Sequence, residues 1–263
     1  MNIFPLGLYL LLPAFLAGLL VLATHVPMGM QVLARGIVFI DLAVAQIAGL
    51  GVIAADRLGF EPQGWAVQMS AVSAALLGAA LFTYTEKRWP EVQEALIGVV
   101  FVLAASGGAL LLAGNPHGGE QLEDLLVGQI LWVSPAQLWP AAWLTAILLG
   151  VWLRWREHLG RFGFYAVFAC AVTASVQLVG IYLVFASLIV PALATRHYPP
   201  RLRLALAYLL GGISYALGLM LSAWSDLPSG AVIVWALAVL GLLGSWAGPK
   251  SGNPLLSNQG KTA

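Results

Sequence analysis

Stretches of about twenty apolar residues, separated by short polar turns, follow one another along almost the whole chain. A helix needs about 20 mostly apolar residues to cross the hydrocarbon core of a bilayer. Eight segments of full length and a ninth, shorter one are predicted, which cover residues 7–25, 36–54, 64–84, 95–113, 137–153, 163–180, 204–224 and 229–247, with the shorter one at 181–195. The predicted fold class is therefore all-α, a polytopic membrane helical bundle of eight full transmembrane helices plus one short returning helix.

Charged residues are too scarce to cover a water-exposed surface. They make up 9% of the 263 residues, and apolar residues make up 60%. Soluble domains carry about 25% charged and about 45–50% apolar residues. The composition therefore excludes an ordinary soluble enzyme and a disordered protein. The net charge of +1 gives no reason to expect a nucleic-acid partner.

The basic residues decide whether the short segment at 181–195 crosses the membrane. Cytoplasmic loops carry an excess of Lys and Arg. If the segment does not cross, the 12 basic residues divide evenly between the two sides; if it crosses, all except Arg57 fall inside. The second arrangement predicts an N-terminus outside and a C-terminus inside. It leaves 1–248 as a single transmembrane domain and 249–263 as a short flexible cytoplasmic tail.

One acidic residue, Asp41, is predicted to lie well inside a span, whereas the others fall in loops or at span ends. An Asp at the centre of a transmembrane helix costs about 2.5–3.5 kcal/mol on insertion scales, so such residues usually line a path or pair with another charge. Two interpretations stay open for Asp41. It is either a ligand or gate on a cation path, or a structural carboxylate paired with Arg35.

Two glutamines also lie within predicted spans. Gln46 follows Asp41 by five residues, which places the two on different faces of a straight helix unless a π-bulge intervenes. Gln177 is interpreted either as a second pathway residue or as an interhelical hydrogen-bonding group.

Histidines and tryptophans give no sign of a resident cofactor. The four histidines are predicted to lie in loops or at span ends without metal-ligand spacing, at His25, His117, His158 and His197. Tryptophans near span ends, Trp152 among them, are assigned to the interfacial belts. An intramembrane enzyme would need a nucleophile with a base at membrane depth. The candidate nucleophiles lack a histidine partner within a span, namely Ser175, Ser187 and Ser214.

Five motifs occur in a fixed order along the chain. They are Arg35 with Asp41, Glu86-Lys87-Arg88 with Glu94-Ala95-Leu96-Ile97-Gly98, the outer loop from Asp124 to Leu131, the segment from Leu178 to Arg196, and the turn from Asp226 to Gly230. In these motifs the sequence resembles the membrane permease subunit of bacterial ABC-type zinc/manganese importers, over nearly the whole chain. It departs from that family at Ala45, where the family usually has a His four residues after the Asp.

The resemblance implies a permease that homodimerises around a central path. It implies an ATP-binding ABC subunit docked inside and an extracytoplasmic metal-binding protein docked outside. The metal pathway is expected at Asp41, Gln46 and Gln177. The ATPase coupling segment is expected at Pro191, Ala192, Ala194, Thr195 and Arg196. Contacts with the outer binding protein are expected at Glu120, Glu123, Asp124 and Asp226.

The function expected from residues and resemblance together is transport, not catalysis. The chain is expected to be a multi-pass subunit in the bacterial inner membrane, in contact with lipid, that carries divalent metal, with zinc as the cargo and no tightly bound cofactor. Manganese or iron is the alternative cargo. Two further functions stay open, namely a permease for a metal chelate of the cobalamin or siderophore type and an ATP-independent secondary metal carrier.

Overall fold

The computed structural model describes residues 3–61, 64–155 and 158–249, with side chains from Leu10 onward. Residues 250–263 of the predicted tail lie outside the described residues. Within the described ranges the chain forms helices and no strands, with α-helices at α1 Ile3–Arg35, α2 Ile40–Arg57, α3 Trp65–Arg88, α4 Gln93–Leu112, α5 Gly118–Val127, α6 Pro135–Trp155, α7 Gly160–Val179, α8 Ile181–Ala194, α9 Pro200–Ser225 and α10 Ser229–Ala247.

Seven of the described helices are long and apolar enough to cross a bilayer: α1, α3, α4, α6, α7, α9 and α10. Helix α8 is strongly apolar but has only 14 residues. Helix α2 has 18 residues, and three of them are charged, namely Asp41, Asp56 and Arg57. The prediction of an all-helical polytopic membrane protein is confirmed.

The largest departures from the predicted segments are at α1 and α5. Helix α1 does not end at residue 25 but continues through Pro27 to Arg35. A proline weakens a helix interior, and here packing of the following turn against α8 overrides that preference. Helix α5 lies within a stretch that the sequence predicts as an outer loop, because its ten residues are too few and too polar to give a membrane-span signal.

Helix α8 forms the interior of the bundle, with 10 of its 14 residues buried. It packs along α1 and α10. The approach to α1 is very close at Gly29, where a Cβ atom would collide with the backbone carbonyl oxygen of Leu188. A buried hydrogen bond of 2.8 Å joins the hydroxyls of Tyr215 in α9 and Ser187 in α8. The Ser187 hydroxyl in turn donates to the Leu183 carbonyl at 2.7 Å.

Several turns meet at one end of the bundle, called here the α1–α2 end. The Phe39 backbone N–H, in the turn between α1 and α2, donates to Glu94 Oε1 at 3.1 Å. Arg161 Nε, at the start of α7, lies 3.6 Å from Glu86 Oε1 at the end of α3. The first contact joins the α1–α2 turn to the start of α4, and the second joins the end of α3 to the start of α7. Together they align the start of α2, the α3–α4 turn and the start of α7.

The other turns meet at the opposite end, called here the Gly128 end. A Cβ at Gly180, between α7 and α8, would collide with the backbone of Gly128, which follows α5. The backbone of Gly128 and that of Gly180 both have positive φ, of 71° and 83°. A Cβ at Gly230, at the start of α10, would lie 2.5 Å from the Val127 carbonyl oxygen. These close approaches require glycine and pack α5 against the α7–α8 turn and α10.

Candidate functional site

Asp41 lies in the first turn of α2 and is 1% exposed. The sequence places Asp41 well inside a span that begins at residue 36, whereas α2 begins at Ile40, so Asp41 is the second residue of the helix. Neither of its carboxylate oxygens has a hydrogen-bond partner. The Arg35 guanidinium instead lies 3.9 Å from the ring centroid of Phe164. The structural pairing of Asp41 with Arg35 is therefore not formed.

A buried carboxylate without a partner is unfavourable, because it loses hydration and gains nothing in return. Protein chains keep such groups inside membranes where they serve transport or proton transfer. Of the two interpretations of Asp41 from the sequence, the geometry supports the functional one.

Gln46 lies beside a small cavity on a different side of α2. The cavity is bounded by α2, α4, α5 and the start of α8, and the apolar side chains of α5 that face it are Leu122, Leu125 and Leu126. Helix α2 is regular across residues 41–46, so no π-bulge brings Gln46 onto the face of Asp41. The two side chains are separated by about 7.5 Å along the helix axis and by about 140° around it.

Gln177 lies near the opposite end of the bundle from Asp41. It is exposed in the last turn of α7, three residues before Gly180 and therefore near the Gly128 end. Asp41 lies at the α1–α2 end. Within one copy of the chain Asp41 is thus separated from Gln177 along the bundle and from Gln46 around α2, so the three predicted pathway residues do not form one coordination sphere. Among the described residues, no group of three or more His, Cys, Asp and Glu side chains is placed to hold a metal ion.

The acidic residues predicted to contact an outer protein are all exposed, and they lie at the Gly128 end. Three of them are on α5. Glu120 Oε2 lies 3.2 Å from His117 Nδ1, and Asp124 Oδ1 accepts a hydrogen bond of 2.7 Å from Gln129. Asp226 ends α9 in a left-handed backbone conformation with φ of 54°.

The predicted coupling segment is mostly buried. Pro191, Ala192 and Ala194 lie in the last turns of α8, and all three are buried. Thr195 is buried as well, and its hydroxyl donates to the Pro191 carbonyl at 2.8 Å. Of the five residues only Arg196 is exposed. A partner can therefore reach the turn that begins at Arg196, whereas the end of α8 supports this turn from inside.

The prediction that His25 lies at the end of a span is wrong. Because α1 continues to Arg35, His25 is in the helix interior and is 0% exposed. Its Nδ1 lies 3.0 Å from the Val21 carbonyl and 3.0 Å from the Thr24 hydroxyl. Its Nε2 has no partner, so it activates none of the serines considered as nucleophiles. His25 is the last residue of the predicted span 7–25, so no sequence signal indicated its burial.

Trp152 also departs from its predicted role. The structure buries it to 2% exposure against Phe164, with ring centroids 5.9 Å apart. The other predicted belt tryptophans are exposed, as lipid-interface residues are. Trp152 is therefore a core residue that packs α6 against α7.

Three comparisons with known proteins agree. The model of the ABC 3 transport family matches residues 8–161 and 156–248. The manganese transport system membrane protein MntC of Halalkalibacterium halodurans is 28% identical over 247 residues, which are 85% of this chain and 82% of the relative. The zinc transport system membrane protein TroC of Treponema pallidum is 39% identical over 98 residues, which are 36% of this chain and 33% of the relative.

The fold has also been seen in a solved structure, described as PsaBC from Streptococcus pneumoniae in complex with Fab. That chain superposes with a TM-score of 0.76 at 22% sequence identity, and the superposition covers 97% of this chain and 99% of that one. At this level of identity the likeness establishes a common fold.

Proposed function

The chain belongs to the ABC 3 transport family, and we propose that it is the permease subunit of an ATP-driven importer of divalent metal ions. It is a multi-pass protein of the inner membrane and a transport subunit rather than an enzyme. Zinc is the first candidate cargo, supported by the likeness to TroC. Manganese is the second, supported by the likeness to MntC, which covers far more of the chain.

The observation that carries the proposal is the partnerless, buried carboxylate of Asp41. At an effective dielectric constant of 20, two unit charges 4 Å apart attract each other by about 4 kcal/mol. When it is ionised, the Asp41 carboxylate therefore lowers the barrier for a dication substantially. Gln46 offers only a neutral amide oxygen, a weaker ligand than the imidazole at the family's usual position. Weak binding along the path suits conduction, which requires release as well as entry.

The topology that we propose has nine membrane passes, with α8 as the short returning one. Gly180 and Gly230 both lie at the Gly128 end, although α8 and α9 separate them along the chain. A chain that returns to the same end has traversed the bundle an even number of times, which supports counting α8 as a pass. The basic residues then assign the α1–α2 end to the cytoplasm.

A fluorescent reporter inserted after Lys87 is expected to fluoresce from the cytoplasmic side, because Lys87 lies in the last turn of α3, at the α1–α2 end. Insertion after Gly119, at the exposed start of α5, is the matched control. A periplasmic phosphatase fused at these two points should give the reverse activities. Phosphatase activity at Lys87 would contradict the proposed orientation.

The partners that we propose are a second copy of the chain, an ATP-binding ABC subunit and an extracytoplasmic metal-binding protein. Family membership supports the ABC subunit. The exposed turn from Arg196 to Pro200 is the surface we assign to it, on the cytoplasmic side. The exposed acidic residues of α5 and Asp226 are assigned to the outer protein. The path would then run between two copies, which brings together residues that one copy keeps apart.

The proposed function is tested by purifying the full chain with its partner ATPase and reconstituting both in liposomes. We expect ATP hydrolysis that rises when the cognate outer protein is supplied with zinc or manganese, and ATP-dependent uptake of ⁶⁵Zn or ⁵⁴Mn. Comparing the two isotopes, with iron and a metal chelate as competitors, identifies the cargo. Uptake that persists without the ATPase would indicate a secondary carrier and would overturn the proposal.

A further inference from the structure

The position of Asp41 is not fixed by its own side chain. Its carboxylate oxygens accept no hydrogen bond, so no protein group draws the side chain into place. Its location follows from where α2 begins. The turn between α1 and α2 therefore determines where the negative charge lies in the bundle.

The turn between α1 and α2 is held by the burial of one side chain, Ile37, and by a backbone hydrogen bond at its last residue, Phe39. Ile37 is buried, whereas the Phe39 side chain is 50% exposed. Phe39 is the N-cap residue of α2, and it makes no side-chain capping hydrogen bond. The first backbone N–H groups of a helix lack partners within the helix and need an outside acceptor.

The acceptor comes from another helix. Glu94 Oε1, in the first turn of α4, accepts the Phe39 backbone N–H at 3.1 Å. A carboxylate at a helix N-terminus also interacts favourably with the helix dipole, and a hydrogen bond to an ionised group is stronger than a neutral one. The second oxygen, Oε2, is buried and has no hydrogen-bond partner, so the α1–α2 turn holds this carboxylate through its backbone.

We infer that Glu94 is a positioning residue for the cation path: it caps α2 from α4 and thereby sets the position of Asp41. The inference rests on the proposed function, in which Asp41 lies on that path. Helix α4 also packs along α2, so a displacement of the start of α4 would move the acceptor and release the first turn of α2. Glu94 thus links movement of the α3–α4 turn to the buried charge.

The first test measures hydrogen–deuterium exchange in the purified full chain, in a peptide that spans Phe39 to Val44. In Glu94→Ala we expect this peptide to exchange at least about tenfold faster, because a hydrogen bond to a charged group is lost. Glu94→Gln keeps an acceptor oxygen and should stay close to the wild type. The matched control is Glu91→Ala, in the same α3–α4 turn, where the side chain is exposed and makes no hydrogen bond or ion pair within the described part of the chain.

The second test measures ⁶⁵Zn and ⁵⁴Mn uptake in cells at several metal concentrations. Glu94→Ala should lower the maximal uptake rate by about tenfold at equal amounts of monodisperse protein, and Glu94→Gln should restore most of it. Unchanged exchange in Glu94→Ala overturns the inference, as does faster exchange with normal uptake. If the wild type transports neither isotope while Glu94→Ala still exchanges faster, the cap stands and the proposed cargo fails.

Discussion

Replacing Asp41 with Asn is expected to reduce metal uptake by at least about tenfold while the protein stays folded and becomes slightly more stable. The two side chains have nearly the same shape, so the substitution removes the ability to ionise without changing the packing. The carboxylate is buried without a partner, so neutralising it removes an unfavourable burial and leaves no other group unpaired. A structural ion pair predicts the opposite change in stability, because breaking it leaves a buried charge without its partner.

The measurement pairs ⁶⁵Zn and ⁵⁴Mn uptake with the thermal midpoint of the purified variant, followed by size-exclusion chromatography. Glu91→Gln is the matched control, since it makes the same carboxylate-to-amide change at an exposed residue with no assigned role in the path or in partner binding. That variant should match the wild type in both readouts. Unchanged uptake in Asp41→Asn would remove Asp41 from the path. A lower thermal midpoint with normal uptake would make it a structural carboxylate.

The sequence predicts this fold well because a bilayer permits few alternatives. Every backbone polar group must be satisfied inside the chain, so an apolar stretch of span length becomes a helix. Helices such as Trp65–Arg88 and Ser229–Ala247 accordingly lie close to the predicted 64–84 and 229–247. Helix α5 was not predicted because it is amphipathic. It packs with one apolar face and therefore lacks the continuous apolar stretch that indicates a span.

The candidate site is predictable only in part. The rarity of acidic residues in spans singles out Asp41, and the structure confirms that it is buried. Its depth along α2 was not predictable, because it depends on the turn at Gly36, whose φ is +70°. The cap from Glu94 joins residues 55 positions apart, and no local pattern encodes such a contact. Arg196 is accessible because the end of α8 before it packs inside the bundle. A hydropathy profile does not predict this packing.

Replacing Gly29 with Ala is expected to lower the thermal midpoint by about 5 °C or more, the second large effect that the structure predicts. A Cβ at this position would collide with the Leu188 carbonyl oxygen. That oxygen belongs to the backbone of a buried helix and cannot move aside as a flexible side chain would. Helices α1 and α8 must therefore separate, which opens voids in the most buried part of the bundle.

The control is Gly150→Ala, which makes the same chemical change in the interior of α6, where a Cβ would meet nothing within 4 Å. Ala is favoured over Gly in a helix by about 0.5–1 kcal/mol, so this variant should be slightly more stable than the wild type. The two variants should therefore change the thermal midpoint in opposite directions, which distinguishes the effect of the helix–helix contact from that of helix propensity. Leu188 precedes Pro191 by three residues, so displacing α8 should also weaken copurification of the ATPase through the turn at Arg196. A Gly29→Ala protein with wild-type stability would show that α1 and α8 are not in such close contact.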